Sequence, residues 1–373
     1  MAELTRRERW VLVALALLYA AVVIPIGINK GSDLDSHLAQ AELLLRREAV
    51  YATAPPWGTW WPPFALITLA PFVGLARWSV PLAKGSFALV NVACLAYAVW
   101  RTRRDARAAV PLALAAVAVP LQTNFEYLNL NAPLLALLVL SAGDLRDGRD
   151  VRAGVWLGLM TALKAFPGLL FILFAFRRRW RGLAVGVLVA LALTLIAVLP
   201  YGPRGGITVL ARWSELSLTG VADIQGRSQS LPAILFRLGV GPTGSAAAGV
   251  AVLGIVLLAL RDGARDLGSE LAILMLVALL LSPVAHTHYY LLAYPAWLVA
   301  LTRHPAVESR AVWRTALAVA GILTSGFLTL GPYTWRSSLL GTAIYAWGGV
   351  LLLLLLLLPL RRAAPERPPG TPC

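Results

Sequence analysis

The sequence has little charge, little histidine and almost no cysteine. Only 14% of its 373 residues are Asp, Glu, Lys or Arg, whereas 59% are hydrophobic and the mean hydropathy is +0.73. Soluble domains carry about 25% charged residues, so this chain has too few to cover a water-facing surface. Cys94 lies inside an apolar run and Cys373 at the end of the chain, and neither has a metal-ligand spacing. The composition excludes a soluble domain and argues against redox and zinc chemistry.

Apolar stretches recur along the chain and predict an all-α fold, a polytopic transmembrane bundle of roughly ten to twelve spans. The first stretch, 10–28, is not closed by a small-residue cleavage site, which predicts a retained helix rather than a signal peptide. Residues 1–362 are expected to form a single integral membrane domain. The proline-rich segment 363–373 is expected to be a disordered cytoplasmic tail. Neither a Walker loop nor a dinucleotide fingerprint is present, so no nucleotide cofactor is expected.

The net charge of +15 is concentrated in short arginine-rich segments between the apolar runs. These segments are 6–9, 101–107, 146–152, 177–181, 261–265, 303–314 and 361–367. The positive-inside rule places them in the cytoplasm together with both termini, which explains the basic balance without a nucleic-acid partner. The segments expected to face outward are 29–80, 121–131, 164–167, 201–242, 284–289 and 332–338.

Two apolar stretches, 63–78 and 81–100, lie between an outward segment and the cytoplasmic arginines from 101 onward. An odd number of crossings is required there, so one stretch should not cross the membrane. The first stretch begins with Pro62 and Pro63 and contains Pro71, which disfavours a continuous helix. We therefore expect an outward juxtamembrane helix at the outer interface after helix one.

Polar side chains that topology does not require gather in the outward segments. Asp33 and Asp35 come just before a predicted helix from Leu38 and, two residues apart, cannot share one helical face. Asp35 equally well caps that helix. Asp33 is a candidate general base for a hydroxyl, provided that burial and a nearby cation adjust its pKa.

Aromatic and amide residues form two further clusters. The tryptophan-rich stretch 57–64 fits an interfacial aromatic belt at Trp57 and Trp60, and stacking on a sugar ring at Trp61 is the alternative. The stretch 122–131 is either an ordinary polar loop or a surface for sugar and acceptor contacts. Its candidate residues are Glu126, Asn129 and Asn131, and Asp35 and Gln229 are candidates for the same role.

The outward segments also contain isolated cations and two histidines. Lys164 lies between two apolar runs, so it either faces a cavity or extends its ammonium group to the interface. Arg227 and Arg237 are candidates for an anionic headgroup, although surface ion pairs would explain them equally well. His286 and His288 have no third ligand close in sequence, which favours contacts to a phosphate or sugar over a metal site.

The order of these motifs resembles glycosyltransferase family 87, of the GT-C class of polytopic enzymes. The resemblance covers residues from about 30 to about 300 and rests on an ordered series of short motifs. These are Asp33-Leu34-Asp35-Ser36-His37, Trp61-Pro62-Pro63-Phe64, Asn129-Leu130-Asn131, Lys164-Ala165-Phe166-Pro167, Ser228-Gln229-Ser230 with Arg237, and Ser282-Pro283 with His288. The chain departs from the family pattern at His37 and His286, where the family usually has aromatic residues, and at Leu128-Asn129.

The resemblance implies a membrane glycosyltransferase that acts outside the cytoplasm, and a single displacement with Asp33 as the base predicts inversion. Its donor would be a sugar on a polyprenyl phosphate, usually mannose and in some members arabinofuranose. Its acceptor would be a hydroxyl of a lipid-linked or cell-envelope glycan. Asp33 would be the base, and Lys164, Arg237 and His288 would contact the donor or its phosphate. The residues alone leave open a transporter or flippase of a lipid-linked sugar, and a noncatalytic scaffold.

Overall fold

The computed structural model describes residues 6–52, 59–219, 228–303 and 310–358. All elements in these ranges are helical, as the sequence predicts. The α helices of the first half are α1 Arg6–Asn29, α2 Ser32–Leu45, α3 Pro63–Ile67, α4 Ala70–Trp78, α5 Val80–Ala106, α6 Val110–Ala115, α7 Ala118–Tyr127, α8 Asn131–Arg146 and α9 Asp150–Leu163. Those of the second half are α10 Phe171–Phe176, α11 Trp180–Val198, α12 Gly202–Thr219, α13 Leu231–Arg237, α14 Pro242–Leu260, α15 Leu267–Leu281, α16 Tyr294–Thr302, α17 Arg310–Ser325, α18 Tyr333–Gly341 and α19 Ile344–Leu357. Short 3-10 helices lie at Phe166–Leu170, Leu199–Tyr201, Thr287–Ala293 and Phe327–Thr329.

The chain is a multi-pass membrane protein. Within the described ranges, four helical segments are long and apolar enough to cross a membrane: Trp10–Asn29, Val80–Ala106, Trp180–Ser217 and Pro242–Leu260. The pair α18 and α19, bent by 47°, would make a fifth if it forms one span. Only 11% of the apolar window in α14 is buried inside the protein, so most of that helix offers its apolar surface to lipid. The full set of ten to twelve spans stays a prediction that needs shorter helices such as α8 to cross.

The stretch 63–78 is not one helix. It forms α3 and α4, of five and nine residues, each far shorter than the roughly 20 residues of a membrane span. The 27-residue α5 follows directly and has the length to cross. These lengths agree with the expectation that only the second of the two apolar stretches spans the bilayer.

Helix α2 begins earlier than the sequence suggests. It starts at Ser32 with Gly31 as its N-cap, and Asp33 and Asp35 both lie in its first turn. The interpretation of Asp35 as the cap of a helix from Leu38 is therefore wrong. Carboxylates are favoured in a first helical turn because the helix dipole places partial positive charge there, which extends the helix back to Ser32.

Helices α9 and α11 approach each other along two glycine pairs. A Cβ atom added at Gly154 would overlap the carbonyl oxygen of Gly182, and one added at Gly158 would overlap that of Gly186. The pairs are spaced four residues apart on each helix, which is the small-residue pattern that lets membrane helices pack closely. This contact fixes the position of α9 and therefore of Lys164, which directly follows its last residue.

Several helices have arginines at one end and the polar clusters at the other. Helix α9 is flanked by Arg149, which binds Asp144 and Asp147, and by Lys164 at its other end. Helix α5 carries Lys84 near its start and Arg101, Arg103 and Arg104 near its end, a separation on the order of 30 Å or less at 1.5 Å per residue. The arginine-rich segments and the polar clusters therefore lie at opposite ends of these two helices. Which end faces outward stays a prediction.

Candidate active site

Four separate segments bring polar side chains together at one end of the bundle. Asp33 comes from the first turn of α2, Asn129 from the turn between α7 and α8, Lys164 from the end of α9, and His288 from the 3-10 helix Thr287–Ala293. Leu128 ends α7 in the left-handed region, with a φ of 55°, so the chain reverses direction before Asn129. This turn directs the Asn129 amide toward both α2 and α9.

The side chain of Asn129 connects a carboxylate to an ammonium group. Its Nδ2 donates to Oδ2 of Asp33 at 3.0 Å, and its Oδ1 accepts from Nζ of Lys164 at 2.9 Å. The Asn129 side chain is also fixed by its own turn, since Oδ1 accepts from the backbone N–H of Leu130 at 2.9 Å. Within the described residues, Oδ1 of Asp33 has no hydrogen-bond partner and the Asp33 side chain is 30% exposed. One carboxylate oxygen is therefore held and the other is accessible.

The surroundings of Asp33 suit its carboxylate to act as a general base. Burial raises the pKa of the Asp33 carboxyl above its ordinary value, while the hydrogen bond from Asn129 and the charge of Lys164 act in the opposite direction and lower it. A carboxylate with a raised pKa binds a proton more strongly than an exposed one, so it is better suited to remove a proton from a hydroxyl.

Lys164 is enclosed by protein. Its Nζ donates to Oδ1 of Asn129 and, at 3.0 Å, to Oδ1 of Asn131, and it lies 3.6 Å from the ring centroid of Tyr289. The residue is only 4% exposed, so its ammonium group does not extend to the interface. Burial lowers the pKa of the Lys164 ammonium group to about 7, while the charge of the Asp33 carboxylate acts in the opposite direction and raises it. The amide oxygens and the aromatic face around the ammonium group favour its charged form.

His286 and His288 lie next to this cluster. Nε2 of His288 is 4.0 Å from Oδ2 of Asp33, and the two imidazole rings are 5.5 Å apart between centroids. His288 is 3% exposed, yet neither of its ring nitrogens has a hydrogen-bond partner among the described residues. Buried polar atoms usually make hydrogen bonds, so these nitrogens are available to a polar group that enters the site. The part of the chain that the structure covers contains no group of three or more His, Cys, Asp or Glu suited to a metal ion.

Arg237 reaches the same region through the segment 228–230. Its Nη2 donates to the Ser228 carbonyl at 3.2 Å, and Oγ of Ser228 accepts from the backbone N–H of Ala285 at 3.0 Å. Gln229 contacts protein on the other side, because its Nε2 donates to the Leu340 carbonyl at 2.8 Å. Arg227 lies outside the described residues. Arg237 is therefore linked through Ser228 to Ala285, the residue before His286, whereas the Gln229 amide binds the Leu340 carbonyl and the backbone N–H of Tyr345.

The other sequence-predicted residues surround the cluster without joining its hydrogen bonds. Asp35 pairs with Lys84 at 2.7 Å, and Glu126 pairs with Lys30 at 3.2 Å. The carboxylate that lies two residues from Asp33 thus faces another partner, as the spacing predicts. The side chains of Asp35 and Glu126 are 47% and 24% exposed, so both are partly accessible to solvent.

Trp61 packs against a histidine that the sequence did not single out as a site residue. Its ring lies 3.7 Å from that of His37 between centroids, and its carbonyl accepts from the Tyr51 hydroxyl at 2.7 Å. Burial lowers the pKa of His37 to about 3, so this imidazole is neutral at neutral pH. Trp61 is 4% exposed and its indole contacts protein. Trp57 lies outside the described residues.

Tyr289 and Lys84 were missed by the sequence reading although each gave a signal. Tyr289 directly follows His288, and the tyrosine ring packs on Lys164. Lys84 is a single lysine in an apolar run, the same feature that singled out Lys164, and its ammonium group binds Asp35. Partners of this kind are separated by long stretches of chain, so spacing alone does not connect them.

The fold and the site define a class: a multi-pass, all-helical membrane protein with a half-buried carboxylate, a buried ammonium group and two imidazoles at one end of the bundle. Residues 60–283 match the model of Glycosyltransferase family 87, and because this match covers more than half of the chain, the chain belongs to that family. The matched range contains Asn129, Lys164 and Arg237, while Asp33 and His288 lie outside it.

Two curated relatives come from Mycolicibacterium smegmatis. One is a polyprenol-phosphate-mannose-dependent alpha-(1-2)-phosphatidylinositol mannoside mannosyltransferase, 29% identical over 299 residues, or 70% of this chain and 65% of the relative. The other is the corresponding phosphatidylinositol pentamannoside mannosyltransferase, 28% identical over 258 residues, or 65% of this chain and 59% of the relative. The chain thus spans less than two thirds of the length of either relative.

Among solved structures, the chain is similar to ArnT from Cupriavidus metallidurans, crystallised with undecaprenyl phosphate. The alignment has a TM-score of 0.46 and 18% sequence identity, and it covers 92% of this chain and 76% of that one.

Proposed function

We propose that the chain transfers a mannosyl group from a polyprenyl-phosphate donor to a hydroxyl of a phosphatidylinositol mannoside. The reaction inverts the anomeric centre and takes place on the extracytoplasmic face. The observation that carries this proposal is the connection of Asp33 to Lys164 through the Asn129 amide, with one Asp33 oxygen accessible. The sugar and the acceptor are suggested by the two curated relatives, whose names specify both.

Asp33 is the general base in this proposal. The acceptor hydroxyl donates a hydrogen bond to the accessible Oδ1 and gives up its proton there as its oxygen attacks the anomeric carbon. The bond from that carbon to the phosphate oxygen breaks in the same displacement. Attack from the side opposite the leaving group reverses the configuration.

The leaving group is a polyprenyl phosphate whose negative charge develops as the bond breaks. Fixed cations and hydrogen-bond donors near it stabilise the transition state more than the ground state. Lys164 contributes its charge, and His288 has ring nitrogens without a hydrogen-bond partner among the described residues, so its N–H can donate to the phosphate. His286, whose ring lies 5.5 Å from that of His288 between centroids, is assigned to the same phosphate. Arg237 is linked to the residue before His286, and Arg227 is assigned to the same phosphate by its sequence position. No metal ion takes part in this proposal.

The acceptor is proposed to enter past two partly exposed carboxylates. Asp35 and Glu126 are proposed to bind its sugar hydroxyls. Trp61 and Gln229 are proposed to belong to the same sugar-binding surface. Asn129 and Asn131 contact Lys164 directly and are proposed to position it beside the substrates. Both termini are proposed to be cytoplasmic, with residues 1–362 forming one membrane domain.

The test is a donor panel. Purified protein is incubated with polyprenyl-phosphate mannose, polyprenyl-phosphate arabinofuranose and a nucleotide-activated mannose, each with a phosphatidylinositol mannoside acceptor. The proposal predicts a new mannosylated lipid with the first donor alone. Product from the arabinofuranose donor would overturn the sugar assignment. A protein that moves the labelled donor across a vesicle membrane without forming product would be a flippase, and the glycosyltransferase proposal would fail.

A further inference from the structure

A line of three buried asparagines leads away from Lys164 into the bundle. Asn131 is the first residue of α8, Asn124 lies on α7, and Asn91 lies on α5. Each of the three is fully buried. We call these three residues the amide chain. Buried amides in an apolar bundle are costly unless their hydrogen bonds are made, so the direction of each bond matters.

The hydrogen bonds of the amide chain all run in one direction. Nζ of Lys164 donates to Oδ1 of Asn131 at 3.0 Å, and Nδ2 of Asn131 donates to Oδ1 of Asn124 at 3.2 Å. Nδ2 of Asn124 donates to Oδ1 of Asn91 at 3.1 Å, and Nδ2 of Asn91 donates to the Phe87 carbonyl at 3.1 Å. Every amide therefore presents oxygen toward Lys164 and nitrogen toward α5.

The two ends of the amide chain determine this direction. The Phe87 carbonyl can only accept, so the amide of Asn91 must place its nitrogen there and its oxygen toward Asn124. The same requirement then passes to Asn124 and to Asn131. At the other end, an ammonium group can only donate, and it meets an amide oxygen. A backbone carbonyl on α5 thus sets the orientation of the amide that holds Lys164.

We propose that Asn91 and Asn124 are positioning residues for sugar transfer: they fix the Asn131 amide so that its oxygen holds the Lys164 ammonium group beside Asp33. This inference rests on the proposed function and deepens it. Neither residue touches the substrates in the proposed mechanism. Their effect reaches the reaction through Asn131, Lys164 and Asn129, the last of which orients Oδ2 of Asp33.

Loss of Asn91 would allow the hydrogen bonds of the amide chain to reverse their direction. In Asn91→Leu, the Asn124 amide has no oxygen to donate to and can rotate, and Asn131 can then turn its NH2 group toward Lys164. Two donor groups would face each other, and the ammonium group would move away from the Asn131 side. We expect kcat for transfer to fall about tenfold, since one lost orienting hydrogen bond corresponds to about that factor in rate.

The decisive experiment is a double-mutant cycle that does not need activity. The Tm of the full-length protein in detergent is measured for Asn91→Leu, Lys164→Met and the double variant. Because Asn91 and Lys164 do not touch, independent sites would give additive losses of Tm. The proposal predicts a smaller loss from Asn91→Leu in the Lys164→Met background, where no ammonium group needs an oxygen. Additive losses of Tm would overturn the proposal that the amide chain orients Lys164.

Thr102→Val provides the matched control. Thr102 is also buried on α5, and its hydroxyl bonds to the Ala98 carbonyl and to Tyr294 rather than to the amide chain. This variant should lower Tm additively with Lys164→Met and keep kcat. If Asn91→Leu does not fold, Asn91→Ser removes the amide with less steric change and is carried through the same cycle.

Transfer kinetics separate this inference from the proposed function. A fall of kcat in Asn91→Leu with little change in donor KM supports the positioning role, and an unchanged kcat per folded protein overturns it. If wild type transfers no sugar from any polyprenyl-phosphate donor, the proposed function fails. The Tm cycle still decides in that case whether the amide chain orients Lys164.

Discussion

Nδ2 of Asn129 lies 3.0 Å from Oδ2 of Asp33, although the two residues are far apart in the chain. The same amide accepts a hydrogen bond from the buried Lys164, so a positive charge polarises the group that donates to the carboxylate. This arrangement holds one oxygen of Asp33 and leaves the other for a substrate.

The pH dependence of sugar transfer should follow the deprotonation of the Asp33 carboxyl. A base is active when deprotonated, so activity should rise with pH through the Asp33 pKa, which burial places above the ordinary aspartate value. Asn129→Leu removes a hydrogen bond that favours the carboxylate form, so the rising limb of kcat/KM should move to higher pH. Ser141→Ala, which removes a buried hydrogen bond farther along α8, should leave the limb in place. If the rising limb of kcat/KM does not move in Asn129→Leu, the assignment of Asp33 as the general base is contradicted.

Lys164→Met should lower kcat about 100-fold, because the variant lacks a fixed positive charge near the leaving phosphate. Lys164→Arg should not restore the rate, since two asparagine oxygens and the Tyr289 ring enclose a compact ammonium group and a planar guanidinium does not fit there. Steady-state kinetics with varied donor check both variants. Wild-type kcat in Lys164→Arg would show that charge alone is sufficient.

Gly158→Ala should lower Tm and kcat together. A side chain at this position overlaps the Gly186 carbonyl, so α9 and α11 must separate and Lys164, at the end of α9, must shift. Gly254→Ala on α14 is the matched control, because an added Cβ there meets no atom within 4 Å. The control should change Tm and kcat little. Equal Tm losses in the two variants would mean that the glycine contact is not required.

Arg177→Met should destabilise the protein strongly without touching the site. Nε of Arg177 donates to Oε2 of Glu270 at 2.8 Å, and the Glu270 side chain is 1% exposed. Removing the arginine leaves a buried charge unpaired, which typically costs about 3–5 kcal/mol. The double variant Arg177→Met with Glu270→Leu should recover most of this loss in thermal unfolding. A double variant as unstable as the single one would show that the loss comes from packing or from the bond to the Leu260 carbonyl.

Much of the fold and part of the site could be predicted from the sequence. Long apolar runs separated by arginine clusters predict membrane helices and their ends, because the cost of exposing apolar surface and burying charge depends little on tertiary detail. Four polar residues stand out for the same reason, because a polar side chain between apolar runs is costly unless it has a partner or a function. These residues are Asp33, Asn129, Lys164 and His288. The structure places them in one cluster.

The partners of these residues could not be predicted. Asn91 is one asparagine in an apolar helix, and nothing in its local sequence shows that it bonds to Asn124 on another helix. The start of α2 at Ser32 and the burial of Trp61 against His37 likewise depend on tertiary contacts. Spacing along one helix defines a face, whereas contact between helices depends on packing that a single sequence does not display.

The most direct test of the account is the replacement Asp33→Asn in the polyprenyl-phosphate-mannose transfer assay. The amide keeps the size of the side chain and removes the base, so kcat should fall about 10²–10⁴-fold while expression and Tm stay near wild type. Glu42→Gln, on the same helix with a partly exposed carboxylate paired to Arg46 and Arg77, should retain wild-type transfer. Transfer by Asp33→Asn at the rate of Glu42→Gln would contradict the account, because the proton of the acceptor hydroxyl would then be removed by another group.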